Sequence, residues 1–335
     1  MTEQILFNGF SVRPPTEADI PAIVELLNAS ALAIQGTKDT SLEDYGRFWR
    51  SPGYNAAKDS RIITTDDGQI VAVVHTRSQA PYVSSFLWVG VHPAYCGRGL
   101  GAYLTAWGES RLRERIAEAP PDARVIVRGG TLSTYQPAAD LLRQAGYQQV
   151  RSFYTMTIEM AAPPPAPSWP PGITIHSMTP DQEEAVYRAV DDAFKDHWGH
   201  VDAPFAEGFQ RWQHFVKNHP YYDPSVFFLA MDGAEIAGLA LCFPKDTEFP
   251  DMAWVDDLGI RRPWRRQGLA LALLHHAFGE FYRRGIKKVG LGVDASSLTG
   301  ATKLYEKAGM RVFRQHDSYE KELRPGCDLT TQTVE

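Results

Sequence analysis

The two halves of this 335-residue chain repeat one order of sequence signals, and this repeat limits the possible folds more than any other feature. In each half a short apolar strand ends at a proline, a glycine-containing loop follows, and an apolar periodic segment then begins. The two copies, residues 89–101 and 258–270, are separated by a constant offset of 169 residues. A strand, a glycine loop and a helix in this order form an α/β unit. We therefore predict two copies of one α/β (α+β) domain.

A proline-rich segment separates the two copies. Residues 161–172 contain six prolines in twelve positions, a composition that disfavours both helix and central strand. We predict an N-terminal domain over residues 1–160, a linker over residues 161–172 and a C-terminal domain over residues 173–335. We also expect the end of the chain, residues 328–335, to be disordered.

Further signals recur on both sides of this linker. Each half opens with a strand and a threonine cap, Thr16 or Thr179, before a helical periodicity. Each half later has a short helix that ends in Ala-Gly, a common stop signal, and then a last strand. The alternative is the duplication of some other α/β domain, because strand–glycine–helix units are common.

Composition excludes several classes of protein. The net charge is −6, so the basic excess of a nucleic-acid-binding protein is missing. No apolar run approaches the roughly 20 residues of a membrane-spanning helix, and the first ten residues do not resemble a signal peptide. Three scattered cysteines, Cys96, Cys242 and Cys327, argue against a disulfide framework or a metal site. We expect a cytoplasmic protein without a membrane, nucleic-acid or metal partner, and the sequence does not indicate its oligomeric state.

The glycine loop of the second copy has the chemistry of a pyrophosphate site. Unpaired N–H groups at a helix start carry the positive end of the helix dipole, and small residues such as Gly268 let a phosphate approach them. Four arginines add positive charge around the loop: Arg261, Arg262, Arg265 and Arg266. The alternative is a solvated basic loop that only caps a helix. Neither loop has the spacing of a Walker or Rossmann glycine motif, so nucleotide hydrolysis and dinucleotide binding are not expected.

The loop and a later tyrosine together resemble the GNAT superfamily of N-acetyltransferases. Arg265, Gly268 and Ala270 match its [RQ]-x-x-G-x-[GA] pattern, and Tyr305 lies in a Leu-Tyr-x-x-x-Gly segment at the expected distance. The resemblance implies acetyl-CoA as the cofactor and, in each domain, a mixed, mostly antiparallel sheet flanked by helices. The tandem order is similar to that of the mycothiol synthases, which acetylate a cysteinyl amine on a sugar conjugate.

The resemblance also implies roles for the matching residues. The strand at Leu258, Gly259 and Ile260 would bind the pantetheine, and the Leu258 N–H would stabilise negative charge on the acetyl oxygen. The pyrophosphate would be bound by Arg265, Arg266, Gln267, Gly268, Leu269 and Ala270. Tyr305 would protonate the departing thiolate; alternatively, it is only a core aromatic residue.

The acceptor amine must be neutral to attack, so a base, acting directly or through water, is expected on the strand before the loop. The strand before the loop offers Asp256 and Asp257. We select Asp256, because side chains alternate along a strand and Asp256 would share a face with Trp254 and Leu258. The superfamily often has an acid at the position of Trp254, and this chain does not. Alternatively, Asp256 only binds backbone or an arginine. After the first helix of this half, where acceptor sites of the superfamily often lie, the chain has His197, Trp198 and His200. The two histidines could bind the substrate or only belong to a loop, and we favour the loop.

The first half keeps the cofactor signals and loses the catalytic ones. Its candidate cofactor-binding residues are Val89, Val91, Gly97, Arg98, Gly99 and Gly101. Cys96 stands where the superfamily has Arg or Gln, and Leu142, at the tyrosine position, cannot donate a proton. In the second half, Leu298 stands where an Asn is frequent. We therefore predict catalysis in the C-terminal domain and a non-catalytic N-terminal domain.

The predicted function is acetyl-CoA-dependent transfer of an acetyl group to a primary amine of a small molecule. Two alternatives remain open: a non-catalytic acyl-CoA sensor and a protein lysine acetyltransferase. Turnover that depends on Tyr305 distinguishes an enzyme from a sensor, and activity on lysine peptides identifies the second alternative.

Overall fold

The computed structural model describes residues 4–5 and 9–333, which form two compact units. Unit 1 comprises Met1–Val150 and Asp317–Leu329, and unit 2 comprises Arg151–His316 and Thr330–Glu335. The elements up to residue 144 are β1 (Gln4–Ile5), β2 (Phe10–Arg13), α1 (Ile20–Gln35), α2 (Leu42–Trp49), α3 (Ala56–Asp59), β3 (Ser60–Thr65), β4 (Ile70–Ser78), β5 (Ser84–Val91), α4 (Leu100–Arg113), β6 (Val125–Leu132) and α5 (Gln136–Gln144). The later elements are β7 (Gln148–Glu159), β8 (Ile173–Ser177), α6 (Glu183–Phe194), α7 (Phe205–Lys217), β9 (Phe227–Asp232), β10 (Glu235–Phe243), β11 (Met252–Ile260), α8 (Leu269–Arg283), β12 (Lys288–Asp294), α9 (Ala301–Lys307) and β13 (Arg311–Arg324).

Each unit contains a mixed, mostly antiparallel sheet. In unit 1 the strands from β1 to β6 pair in sequence order, and only the β5–β6 pair of these is parallel. In unit 2 the order is β7-β12-β11-β10-β9-β8, with β11 and β12 parallel. The predicted α/β fold with mostly antiparallel sheets flanked by helices is confirmed.

The helices of unit 2 pack on both faces of its sheet. A Cβ at Gly259 would lie 2.9 Å from Ala193 of α6, so this crossing needs a residue without a side chain. On the other face, Leu269 of α8 lies 3.4 Å from the Cβ position of Gly238. Both threonine caps predicted from the sequence form capping boxes, Thr16 before α1 and Thr179 before α6.

The two compact units do not coincide with the boundaries expected from the proline-rich segment. Residues 161–172 contain neither helix nor strand. The preceding β7 pairs with β12 and belongs mostly to unit 2. Residues 317–329, near the chain end, belong to unit 1, where Glu320 pairs with Arg128 at 3.1 Å. Pairing between residues far apart in sequence sets these boundaries, and composition carries no signal for it.

The end of the chain is ordered where the sequence predicts disorder. Thr331 accepts a hydrogen bond from the N–H of Gly199 at 2.7 Å and donates its own N–H to the carbonyl of His200 at 2.9 Å. The prediction is therefore wrong for these residues, and its last two positions, 334–335, lie outside the described residues. Among the described residues, no helix has both the length and the apolar character that crossing a membrane requires.

Candidate active site

Strands β11 and β12 separate part-way along their length. They pair in parallel from Met252↔Lys288 to Val255↔Leu291, and β11 then continues to Ile260. Beyond Val255, one edge of β11 is no longer paired with β12. Backbone groups on such an edge need other partners, and a ligand can supply them.

The peptide groups of Leu258 and Ile260 face this open edge. Arg261 donates its N–H to the carbonyl of Ala237 at 3.0 Å, toward β10. Because peptide groups alternate in direction along a strand, the N–H of Gly259 also faces β10, and those of Leu258 and Ile260 face the opposite side. The N–H that the sequence analysis selects at Leu258 therefore lies on the side that β12 has left.

A β-bulge changes the side-chain pattern just before this edge. Leu241 pairs with Asp257 and Cys242 pairs with Val255, so Asp256 is an extra residue on β11. A bulge interrupts the strict alternation of side chains. Strict alternation therefore does not extend across Asp256, although Asp256 and Leu258 both line the same cavity. The bulge brings two carboxylates together, Asp256 exposed and Asp257 half-buried.

The two carboxylates differ in their electrostatics. Burial, and then the negative charge of Asp256, raises the pKa of Asp257 to about 8. Burial disfavours the charged form of a carboxyl group, and a neighbouring like charge disfavours it further. A group with this pKa changes its protonation state near neutrality, which is the property of a general base.

The loop before α8 has the backbone of an anion site. Arg266 and Gly268 both adopt left-handed φ angles, of 62° and 86°. No side chain caps the helix at Gly268, and a Cβ there would meet nothing within 4 Å. The first N–H groups of α8 therefore face open space. A left-handed arginine costs about 1–2 kcal/mol, and strain of this kind is typical of ligand-binding loops.

The arginines around this loop are mostly paired. Arg262 and Arg265 both bind the carboxylate of Asp196, whose side chain is 3% exposed. Arg261 pairs with Asp192 at 2.8 Å. Within the described residues, Arg266 makes no ion pair and lines the cavity. The expected cluster of four arginines for phosphate is therefore mainly a set of structural ion pairs, which fix the loop to the segment after α6.

The Asp196→Asn variant is expected to lower the free energy of unfolding by about 2 kcal/mol, because two arginines lose their shared, buried carboxylate. Arg262 and Arg265 hold the pKa of Asp196 well below its usual range. This stabilisation is therefore present above about pH 4 and is lost as the pH falls further. Urea unfolding across this range measures it. Asp192→Asn, at a carboxylate 38% exposed, is the control and should cost less than about 1 kcal/mol.

A cavity of about 600 Å³ in unit 2 connects the open edge of β11, the loop before α8 and Asp256, whereas Asp257 is not on its lining. Its lining contains nearly all the residues predicted for this half: Asp256, Leu258, Gly259, Ile260, Arg265, Arg266, Gly268, Leu269, Ala270 and Tyr305. Gln267 is exposed and donates its side-chain amide to the Pro263 carbonyl at 3.2 Å. His197 lies outside helix and strand, as predicted, and also lines the cavity.

The cavity also contains residues that the sequence analysis did not select. Asp196 and Trp198 come from the segment after α6, and Phe153 comes from β7. Leu298, where the resemblance leads us to expect an asparagine, lines the cavity next to α9. Local sequence carries no signal for Phe153, because its position depends on the long-range pairing of β7 with β12.

Tyr305 is a buried hydroxyl residue on this cavity. Its side chain is 7% exposed, and burial raises its pKa to about 12. The hydroxyl therefore stays protonated throughout the neutral range. It has no hydrogen-bond partner within the described residues, so a ligand in the cavity is a natural acceptor.

Unit 1 repeats the open edge and the loop. β5 and β6 pair from Ser84↔Ile126 to Phe86↔Arg128, and β5 continues to Val91. The N–H of His92 is donated to Val71 on the β4 side at 2.9 Å. By the same alternation, the peptide groups of Val89 and Val91 face the open edge. Gly97 and Gly99 before α4 have φ angles of 77° and 81°.

Unit 1 lacks the acidic features of unit 2. The β4–β5 register runs without interruption from Ala72↔Val91 to Ser78↔Ser85, so β5 has no bulge there. When β5 is aligned with β11 by their pairing with β4 and β10, Phe86 corresponds to Trp254 and Trp88 corresponds to Asp257. The two rings are exposed and stacked at 5.6 Å. In the loop before α4, Arg98 lies over the Tyr95 ring at 4.9 Å. A Cβ at Gly101 would lie 3.1 Å from Leu141. Leu142, at the position of Tyr305, is a buried core residue.

Comparisons with known proteins agree with this geometry. Residues 184–310 match the acetyltransferase (GNAT) family. A mycothiol acetyltransferase of Salinispora arenicola is 28% identical over 76% of this chain and 79% of its own length. A GCN5-related N-acetyltransferase from Sphaerobacter thermophilus has a crystal structure with a TM-score of 0.79, is 36% identical, and covers 98% of this chain and 100% of its own. A tandem GNAT protein from the clavulanic acid pathway superimposes with a TM-score of 0.70 over 95% of this chain and 99% of its own, at 12% identity.

These matches, together with an opened strand pair beside a helix N-terminus, indicate an acyl-transferring enzyme. The chain belongs to the GCN5-related N-acetyltransferase (GNAT) family, in its tandem form, and is an N-acetyltransferase.

Proposed function

We propose that unit 2 binds acetyl-CoA and transfers its acetyl group to the primary amine of a small molecule. The observation that carries this proposal is the opening of β11 from β12 at Val255, on the same cavity as Tyr305. A sequence identity of 25–28% to several mycothiol acetyltransferases supports a small acceptor of the kind their name indicates.

The residues on the cavity fit this cofactor. The open N-terminus of α8 would hold the pyrophosphate, with Arg266 beside it, because N–H groups and a cation favour an anion there. The open edge at Leu258 and Ile260 would hold the amide groups of the pantetheine arm. When bound, acetyl-CoA supplies an acetyl group activated as a thioester.

The side chains then divide the proton transfers between them. Asp256, which lines the cavity, would bind the ammonium form of the acceptor. The proton that leaves the amine would pass through Asp256 or a water molecule to the neighbouring Asp257, which is not on the cavity lining. The Leu258 N–H would donate a hydrogen bond to the oxygen on which negative charge develops. Tyr305 would give its proton to the departing sulfur. Burial disfavours a free thiolate, so the departing sulfur gains from a proton donor beside it.

We propose that unit 1 is the non-catalytic copy and that its loop at Gly97 and Gly99 can hold a second CoA. The left-handed glycines before α4 support a phosphate site. The missing bulge, Trp88 at the position of Asp257, and Leu142 at the position of Tyr305 support the absence of proton transfer.

A panel of amines tests the proposed reaction. The protein is incubated with acetyl-CoA and, separately, with a cysteinyl-glucosamine conjugate, glucosamine or a lysine peptide, and acetylated products are identified by mass spectrometry. Acetylation of a small amine is the expected result. Acetylation of the peptide alone would replace the small acceptor by a protein, and turnover of none of them would overturn the acceptor class.

The acetyl-transfer rate at saturating substrates is expected to rise with pH through a midpoint of about 8, because Asp257 must be ionised to act as the base. Asp256→Asn should move this midpoint to lower pH, since removal of the neighbouring negative charge lowers the pKa of Asp257. Asp257→Asn should remove the midpoint and lower the rate about a hundredfold. Asp251→Asn, at an exposed carboxylate paired with Lys288, is the control. If the midpoint of the pH profile is unchanged in Asp257→Asn, the group that titrates is the acceptor amine and not Asp257.

A further inference from the structure

The segment after α6 forms one wall of the cavity and is held from two sides. Asp196, His197 and Trp198 line the cavity. On one side, Asp196 is bound by Arg262 and Arg265 of the cofactor loop. These contacts fix the beginning of the wall and leave its later part, residues 198–200, to other partners.

The chain end supplies those partners. Thr331 makes two backbone hydrogen bonds with Gly199 and His200, at 2.7 and 2.9 Å. Its hydroxyl donates to the carbonyl of Lys195 at 3.1 Å. The indole N–H of Trp198 donates to the side-chain oxygen of Gln332 at 3.0 Å. Residues 330–332, which we call the C-terminal strap, therefore bond to both the backbone and the side chain of this wall.

Trp198 is also fixed on its ring face. The guanidinium of Arg151 lies over the indole at 5.0 Å, and Arg151 is itself paired with Asp294 at 2.9 Å. A ring held by its N–H and by a cation on its face keeps one orientation at the cavity. The strap supplies the first of these two restraints.

We propose that the C-terminal strap is a positioning element of the acceptor site, which fixes Trp198 as a wall against which the acceptor packs. This inference rests on the proposed function: because α8 and the open edge of β11 hold the cofactor there, we assign the acceptor to the part of the same cavity that the segment after α6 lines. The hydrogen bonds of the strap to this wall reach Lys195, Trp198, Gly199 and His200. Loss of the strap leaves the ion pairs of Asp196 with Arg262 and Arg265 in place, so we expect it to affect the acceptor more than acetyl-CoA.

Two truncated chains test the strap. A chain that ends at Leu329 lacks it, and a chain that ends at Gln332 keeps it and is the control. We expect the shorter chain to show faster hydrogen exchange in residues 195–200, a KM for the cysteinyl-glucosamine conjugate raised about tenfold, and a Kd for acetyl-CoA within about twofold of the control. We expect kcat to change less than KM.

Point variants separate positioning from folding. Gln332→Leu removes the acceptor for the Trp198 N–H at similar size, and Gln332→Glu keeps an acceptor oxygen. Gln332→Leu should raise the KM for the cysteinyl-glucosamine conjugate, and Gln332→Glu should have the KM of the wild type. Both variants should have equal melting temperatures.

Each adverse outcome has a definite meaning. Unchanged hydrogen exchange in residues 195–200 of the shorter chain would show that the strap does not order this wall. Faster exchange with an unchanged KM would overturn its role at the acceptor. If the full-length chain turns over none of the amines in the panel, the proposed function fails and this acceptor role falls with it, while the exchange experiment still decides whether the strap orders the wall.

Discussion

Gly268→Glu is expected to abolish acetyl-CoA binding by unit 2, with a Kd at least about a thousandfold higher. The substitution places a side chain where φ is 86°, a conformation that costs a non-glycine residue about 1–2 kcal/mol. It also sets a carboxylate at the open N-terminus of α8, where the pyrophosphate would bind. Like charges brought together in a binding site cost several kcal/mol, and each 1.4 kcal/mol is tenfold in Kd.

Native mass spectrometry with acetyl-CoA counts the bound equivalents without knowledge of the acceptor. Gly99→Glu is the matched control, because Gly99 caps α4 of unit 1 with a φ of 81° in the same loop position. If both units bind, each variant should lose one equivalent, and only Gly268→Glu should lose turnover. Full binding retained by Gly268→Glu would show that the cofactor does not use the N-terminus of α8.

The features that the sequence predicts are those encoded by neighbouring residues. The loop before α8 is an example, because a glycine at the first turn, a preceding proline and an apolar period are all local signals. The threonine caps are encoded by local signals too. A resemblance that joins the loop to Tyr305 extends this information to the cavity, since both lie on its lining.

The features that the sequence does not predict depend on partners far along the chain. Asp196 binds Arg262 and Arg265, which lie 66 and 69 residues later. The bulge at Asp256 is visible only in the register between β10 and β11. For the same reason, the burial that raises the pKa of Asp257 is not visible in the local pattern, from which we predict Asp256 as the base. The ordered chain end follows the same rule, because its hydrogen bonds reach back to Gly199.

Tyr305→Phe is expected to lower kcat by a factor of about a hundred to ten thousand, the usual contribution of a general acid. The change removes one hydroxyl from a side chain that is 7% exposed, so the ring still fills its place on α9. The Kd for acetyl-CoA should stay within about twofold, because the helix N-terminus and the strand edge are untouched. The departing sulfur would have to leave as a thiolate in a cavity that disfavours charge.

The pH profile and a matched tyrosine complete this test. Because burial raises the pKa of Tyr305 to about 12, the wild-type rate should show no loss from this hydroxyl up to about pH 11. Tyr222→Phe removes the same atom from a unit 2 tyrosine that packs against Phe227 outside the cavity lining, and kcat should not change. Equal rates in wild type and Tyr305→Phe would mean that water or the acceptor protonates the sulfur. The buried hydroxyl would then only shape the cavity, and the catalytic contribution would lie in the bulge carboxylates and the Leu258 N–H.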